Sequence, residues 1–217
     1  MHAGSSQRAM RQRRADQLNI LVRCSQISQT RRCMKLFSVA GIVLLLVCAS
    51  GFGQDTHPGG IVYGPKAAFT ISAPAGWVLD NSSGVKQGLP CVLYPKDSSW
   101  SDARTIMYAK IASTQFTDVE AFVAKAIKEM QKTHGTPKQK IESGKTSDGH
   151  PFFINEYPAT KSYSQWERVA YVQLPGAVAY IVLSSRDEPS YRKDSSALRE
   201  VLKSFAYMKV ETDQEKR

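Results

Sequence analysis

A chain of 217 residues with 29 Lys and Arg against 19 Asp and Glu carries a formal charge of +10. Its length allows one ordinary domain, or one domain and a processed leader, because domains usually run to about 100–200 residues. Residues 1–53 hold eight of the basic side chains and one acid, so 21 basic and 18 acidic residues leave only +3 for 54–217. That small remainder, spread without a Lys/Arg cluster, excludes the electrostatic footprint of a nucleic-acid binder.

In chain order, residues 1–33 are polar and Arg-studded without apolar periodicity, and Met34 opens a segment with the proportions of an exported leader. Leu36 to Ala49, LFSVAGIVLLLVCA, follows Lys35 and precedes the small, turn-prone Ser50-Gly51-Phe52-Gly53. A basic flank, an apolar core and a small-residue exit make a secretory signal peptide. We therefore read 1–53 as a leader, with 34–53 as the signal peptide and 1–33 as a spurious upstream extension. The apolar run is shorter than the roughly 20 residues of a spanning helix, and an uncleaved anchor reaching Phe52 is the competing reading. Arg31-Arg32 would suit a twin-arginine export signal, but Lys35 falls where that signal wants an apolar residue. Leu45-Leu46-Val47-Cys48 loosely resembles a lipobox, in which a lipidated Cys48 becomes the mature N-terminus, although Val47 stands where a small residue belongs. The expected location is periplasmic or extracellular, with the membrane reached only through the leader or a lipid on Cys48.

Three of the four cysteines precede the expected cleavage point, leaving Cys91 alone, and one thiol cannot form an internal disulfide. Its apolar surroundings in Pro90-Cys91-Val92-Leu93-Tyr94 predict a buried, inert group.

Residues 54–66 carry Pro and paired Gly and read as a flexible segment. Ala67–Ser72 is the first predicted strand. Pro74-Ala75-Gly76 then turns the chain, since Pro cannot donate to a ladder and Gly can take a positive φ. Trp77 and Val78 begin the next extended piece, where Trp77 is expected to pack over a sheet edge rather than form a binding tip. Val92–Tyr94 and Thr105–Ser113 follow as strands, the second apolar on both faces and so covered on both sides.

The clearest helix spans about Asp118 to His134. Val119, Phe122, Val123, Ala126, Ile127 and Met130 fall on one stripe of 3.6-residue period. Thr117 and Glu120 fit a capping box, and Gly135 and Pro137 stop the helix. His134, near its C-terminus, is expected to be favoured in the protonated form by the macrodipole.

Lys140–Thr146 and Phe152–Tyr157 predict a hairpin around Asp148-Gly149, with His150 an exposed turn residue. Trp166–Leu174 and Val178–Ser184 predict a second, joined by Pro175-Gly176-Ala177. The last of these strands, apolar on both faces, belongs near the sheet centre. A final helix is expected within Ser190–Ser204, followed by a frayed tail over 208–217.

Several strands, a helix, two hairpins and a terminal helix give an α+β protein, an antiparallel sheet sandwiched between helices (α-β-α), formed as one domain over 67–207. A strand ending in Pro74-Ala75-Gly76-Trp77, a long helix, an Ala-Tyr-Ile-Val-Leu strand at Ala179–Leu183 and the Leu198-x-x-Val201-Leu202-x-Ser204-Phe205 ending together resemble the PsbP-like family. That fold is shared with envelope lipoproteins of the DcrB type and a Ran-binding nuclear import factor. The resemblance implies an α-β-α sandwich and, for most exported members, a non-enzymatic binding or assembly role; it transfers no catalytic residue.

The residues themselves give no Gly-x-Ser-x-Gly elbow, no His-Glu-x-x-His or Cys-x-x-Cys pair and no phosphate loop before a helix. No catalytic residue, cofactor or metal site is therefore assigned. Asp187-Glu188 before Pro189 reads as a helix-start turn. The one candidate contact surface is Trp100 in a polar loop with Asp102 and Arg104 as neighbours. The resulting expectation is an exported, non-enzymatic protein that binds a protein or other envelope partner. The alternative is a small secreted hydrolase or ligand-modifying enzyme whose site is assembled from distant residues.

Overall fold

The computed structural model describes residues 59–210. The leader assigned to 1–53, with Cys48, lies outside the described residues, as do 54–58 and 211–217.

The main sheet has seven antiparallel strands: β3 (Trp77–Asp80), β4 (Val92–Pro95), β5 (Thr105–Ile111), β6 (Lys138–Lys145), β7 (Pro151–Tyr157), β8 (Trp166–Leu174) and β9 (Ala177–Ser185). Their spatial order is β3-β4-β5-β9-β8-β7-β6. The strand apolar on both faces, β9, occupies the middle of that order, as its composition predicts. Its turn from β8 uses Gly176 at φ 67°, and the β6–β7 turn uses Gly149 at φ 90°.

A second, three-stranded sheet of β1 (Gly59–Tyr63), β2 (Ala67–Ser72) and β10 (Ala206–Lys209) has β2 in its centre. Two sequence expectations are corrected here. Residues 59–63 are a strand rather than part of a flexible segment: Gly59-Gly60 looks like turn chemistry, but Gly60 is there for close approach. A β-carbon on it would lie 2.6 Å from Leu79 Cδ2. Met208 and Lys209, assigned to the tail, pair with Ala68 and Ala67.

One face of the main sheet is covered by α1 (Val119–His134). Val123 is buried and Val119, Phe122, Ala126, Ile127 and Met130 are half-buried, so the predicted stripe faces inward. Phe122 packs against Tyr171 and Tyr180, ring centroids 6.1 and 5.4 Å away. The helix starts differently from the expected Thr117–Glu120 box. Asp118 is the cap, its Oδ1 accepting from the Ala121 amide at 2.8 Å. Gln173 on β8 reaches the same end, donating to the Thr117 carbonyl and accepting from the Val119 amide.

The opposite face is not a helical layer alone, which corrects the helix-sandwich expectation. Phe69 and Ile71 of the small sheet, with Leu198, Val201, Leu202 and Phe205, pack there against Ala170, Val172, Ile181 and Leu183. Phe69 and Phe205 stack at 4.5 Å. The architecture is mostly antiparallel β structure, with helices in the minority.

The expected terminal helix is two short ones, α2 (Glu188–Asp194) and α3 (Ala197–Lys203). The break falls at Ser195-Ser196, where Ser195 Oγ donates back to the Arg192 carbonyl at 3.3 Å. Such side-chain competition with the backbone weakens a helix interior. Asp187 caps α2 by accepting from the Ser190 amide, so the Asp187-Glu188-Pro189 stretch is a helix start as read.

Trp77 opens β3, the edge strand, and packs half-buried on the core. The turn before it closes through the Trp77 amide and Pro74 carbonyl at 3.0 Å, with Gly76 at φ 79°. At the other edge, the pairing of β6 shifts register between Lys138 and Glu142, and Lys140 sits at φ 49°. The Lys140 amide donates to Asn155 Oδ1 at 2.8 Å rather than to a strand carbonyl.

Candidate functional site

Trp100, Asp102 and Arg104 lie on the loop between β4 and β5. Its turn is built on Ser99, whose carbonyl accepts from the Asp102 and Ala103 amides. The Trp100 ring is half-buried, and its indole N–H donates to Gln87 Oε1 at 3.1 Å. Gln87 ends a short 3-10 turn, Val85–Gln87, whose Val85 is exposed. Asp102 is exposed and accepts from Ser99 Oγ at 2.7 Å. Arg104, also exposed, donates to Asp187 Oδ2 at 2.9 Å, tying the loop to the start of α2. Arg186 adds a second tie by donating to the Ser101 carbonyl. The loop therefore offers an aromatic face and two charged groups in fixed positions.

A second polar group lies between the main sheet and the end of α1, and sequence reasoning did not assemble it. His134, in the last turn of α1, is buried, with its ring 3.8 Å from that of Tyr163. Its Nδ1 meets Thr133 Oγ1 at 2.8 Å, and its Nε2 has no hydrogen-bond partner among the described residues. Burial pushes the imidazole below its ordinary range, against a smaller opposing effect of the Met130 carbonyl. The expected protonated helix-end histidine is thus corrected, since desolvation outweighs the macrodipole here.

Tyr163 continues the chain of contacts by donating to Glu167 Oε1 at 2.6 Å. Glu167 points from β8 toward the same layer, and burial raises its carboxyl despite hydrogen bonds from Tyr163 and Ser184. Ser184 Oγ also reaches Gln165 Oε1 at 2.6 Å, and the Tyr157 and Tyr171 hydroxyls meet at 3.0 Å. The sequence signal was present as polar residues interrupting apolar strands: Glu167 in WERVAYV and Ser184 after Leu183. Only the register Glu167↔Ser184 brings them together.

On the other face, Glu156 accepts from Lys138, Arg168 and Tyr191. Burial opposes its charge, but those donors hold the carboxyl below the usual range. Asp80 behaves alike: four hydrogen bonds from Ser82 and Ser83 outweigh burial and depress it strongly. Cys91 is fully buried, and burial together with the Asp80 charge pushes its thiol up to about 12, as its apolar setting predicts. His150 is half-buried rather than exposed, its ring 5.2 Å from Tyr207. Among the described residues no group of three or more His, Cys, Asp or Glu is placed to hold a metal ion.

No family model and no curated protein matches the chain. Among solved structures it is similar to the cyanobacterial PsbP (CyanoP) of Synechocystis sp. PCC 6803, at 14% identity and TM-score 0.43, over 64% of this chain and 86% of that one. A Bacteroides thetaiotaomicron protein is similar at 11% identity and TM-score 0.37, over 65% of this chain and 45% of that one. PA94 of Pseudomonas aeruginosa, a protein of unknown function, is similar at 15% identity and TM-score 0.30, over 71% of this chain and 85% of that one.

Proposed function

We propose that the chain is an exported, non-enzymatic binding or assembly protein of the cell envelope, and that the loop of Trp100, Asp102 and Arg104 is its contact surface. The observation that carries this reading is the support under Trp100. Its indole is held by Gln87 at the surface, outside the main apolar core, while Arg104 and Arg186 fix the loop from α2's side. A pre-positioned aromatic with charged neighbours loses little freedom on docking, which is how a few anchors dominate an interface.

The non-enzymatic part rests on how deeply the acid and base groups lie. His134 and Glu167 are 5% and 3% exposed, whereas a general base must come within hydrogen-bond reach of a substrate proton. The leader over 34–53 supports export. No helix among the described residues is long and apolar enough to cross a membrane.

A photo-crosslinking side chain at position 102 of the full chain, expressed in its native cell, tests the surface. A discrete adduct is expected with an envelope component, lost in Trp100→Ala while the melting temperature hardly changes. An adduct indifferent to Trp100→Ala, or a collapse of melting temperature, would place the ring in the structure rather than at a contact. Turnover of small ester or peptide substrates, abolished by His134→Gln, would support the hydrolase instead.

A further inference from the structure

Lys110 lies on β5, the third of the seven strands, and pairs directly with Tyr180 of β9. Opposed residues of an antiparallel pair share a face and stand about 5 Å apart at Cβ. The Tyr180 ring packs on Phe122 of α1 at 5.4 Å, so this face is the one that α1 covers. Both side chains are half-buried, and neither the Lys110 ammonium nor the Tyr180 hydroxyl has a hydrogen bond or ion pair among the described residues. Burial lowers the Lys110 amine and pushes the Tyr180 phenol up to about 12, which keeps that hydroxyl a donor.

Carboxylates of the same layer are committed elsewhere. Asp80, one row along this face through Val92 and Tyr108, accepts from Ser82, Ser83 and Tyr94. Glu120 of α1 accepts from Lys140, and Glu167 of β8 accepts from Tyr163. A cation drawn partly out of water without an anion beside it costs stability, and a cost that the fold does not offset marks a functional position. The surroundings give the rest of the ligand. The loop leaving β5 brings Phe116 against Phe122, ring centroids 5.1 Å apart, so half-buried Phe116, Phe122 and Tyr180 form one aromatic run. Lys125, 5.0 Å over the Phe116 ring, is already engaged there. One ammonium and one hydroxyl suit a monoanion with two acceptor oxygens, and the aromatic run suits an apolar body.

We propose that Lys110 and Tyr180 form a binding site for an organic carboxylate, the ammonium and the hydroxyl each donating to it while its apolar or aromatic body lies against Phe122 and Phe116. The Trp100 loop joins the opposite end of β5, so this is a second site, independent of the contact surface proposed above.

Benzoate is the probe, titrated into the isotope-labelled full chain with benzamide as its uncharged counterpart. Amide resonances of β5 and β9 around positions 110 and 180 should shift saturably with benzoate, and benzamide should bind about tenfold more weakly. Lys110→Met should weaken benzoate about tenfold and Tyr180→Phe about threefold, while Lys110→Arg retains it. Without ligand, Lys110→Met should melt above the native chain, because it keeps the apolar stem and removes the unpaired charge. Equal affinity for benzoate and benzamide, an absence of saturable shifts, or benzoate binding indifferent to Lys110→Met overturns the proposal. So does a lower melting temperature for Lys110→Met, which would give the ammonium a structural role.

Discussion

The imidazole of His134 lies 3.8 Å, centroid to centroid, from the phenol ring of Tyr163. One comes from the last turn of α1 and the other from the loop before β8, so their contact closes that end of the helix onto the sheet. The Thr160 hydroxyl reinforces the closure by donating to the Thr133 carbonyl at 2.7 Å.

This buried histidine makes stability fall on mild acidification. Its unfolded pKa is near 6.5 and its folded value is lower. Stability from the neutral ring is therefore complete above the unfolded value and is lost as pH falls from there toward the folded one. His134→Phe keeps an aromatic partner for Tyr163 and cannot take the proton. Calorimetric melting between pH 7 and 5 should show the native protein losing ground to this variant; parallel curves would contradict the burial argument.

Glu167 acts in the opposite sense. Its unfolded carboxyl sits near 4.5, and burial raises the folded value. Its favourable contribution is complete below the unfolded pKa and disappears as pH rises through the folded one. Glu167→Gln retains an acceptor for Tyr163 without an ionising group. In urea titrations, its advantage over the native chain should widen from pH 5 to pH 8.

Phe205 tests the packing between the two sheets. It is fully buried and stacked on Phe69, and removing such a ring costs about 3–5 kcal/mol. Phe205→Ala should lower unfolding free energy by that amount in denaturant titration, and Phe205→Leu by distinctly less.

Gly76 isolates a backbone effect. A β-carbon there meets nothing within 4 Å, yet φ is 79°. Gly76→Ala should cost about 1 kcal/mol through the left-handed conformation alone. Loss of several times that in equilibrium unfolding would mean that the turn shifts and moves Trp77 with it.

Local chemistry made much of the fold legible. The stripe from Val119 to Met130 and Gly135 gave α1 its face and its end, and Asp148-Gly149 placed a hairpin. Two-sided apolarity placed β9 at the centre. What escaped depended on tertiary contact. Gly60 looks like a turn residue until Leu79 lies beside it, and Thr117–Glu120 looks like a capping box until Gln173 arrives from β8. The Trp100 loop was visible as an aromatic among polar residues, but its ties to Gln87 and Asp187 were not. His134 and Glu167 are linked only through Tyr163, on the loop before β8, and neither leaves a periodic trace.

The lysine-bearing outer margin of the main sheet has a consequence for solubility. With the register shifted between Lys138 and Glu142 and Lys140 out of the extended conformation at φ 49°, β6 is bent partway along its length. The bend at Lys140 makes that margin a poor template for edge-to-edge pairing, and the exposed Lys145 adds a charge there.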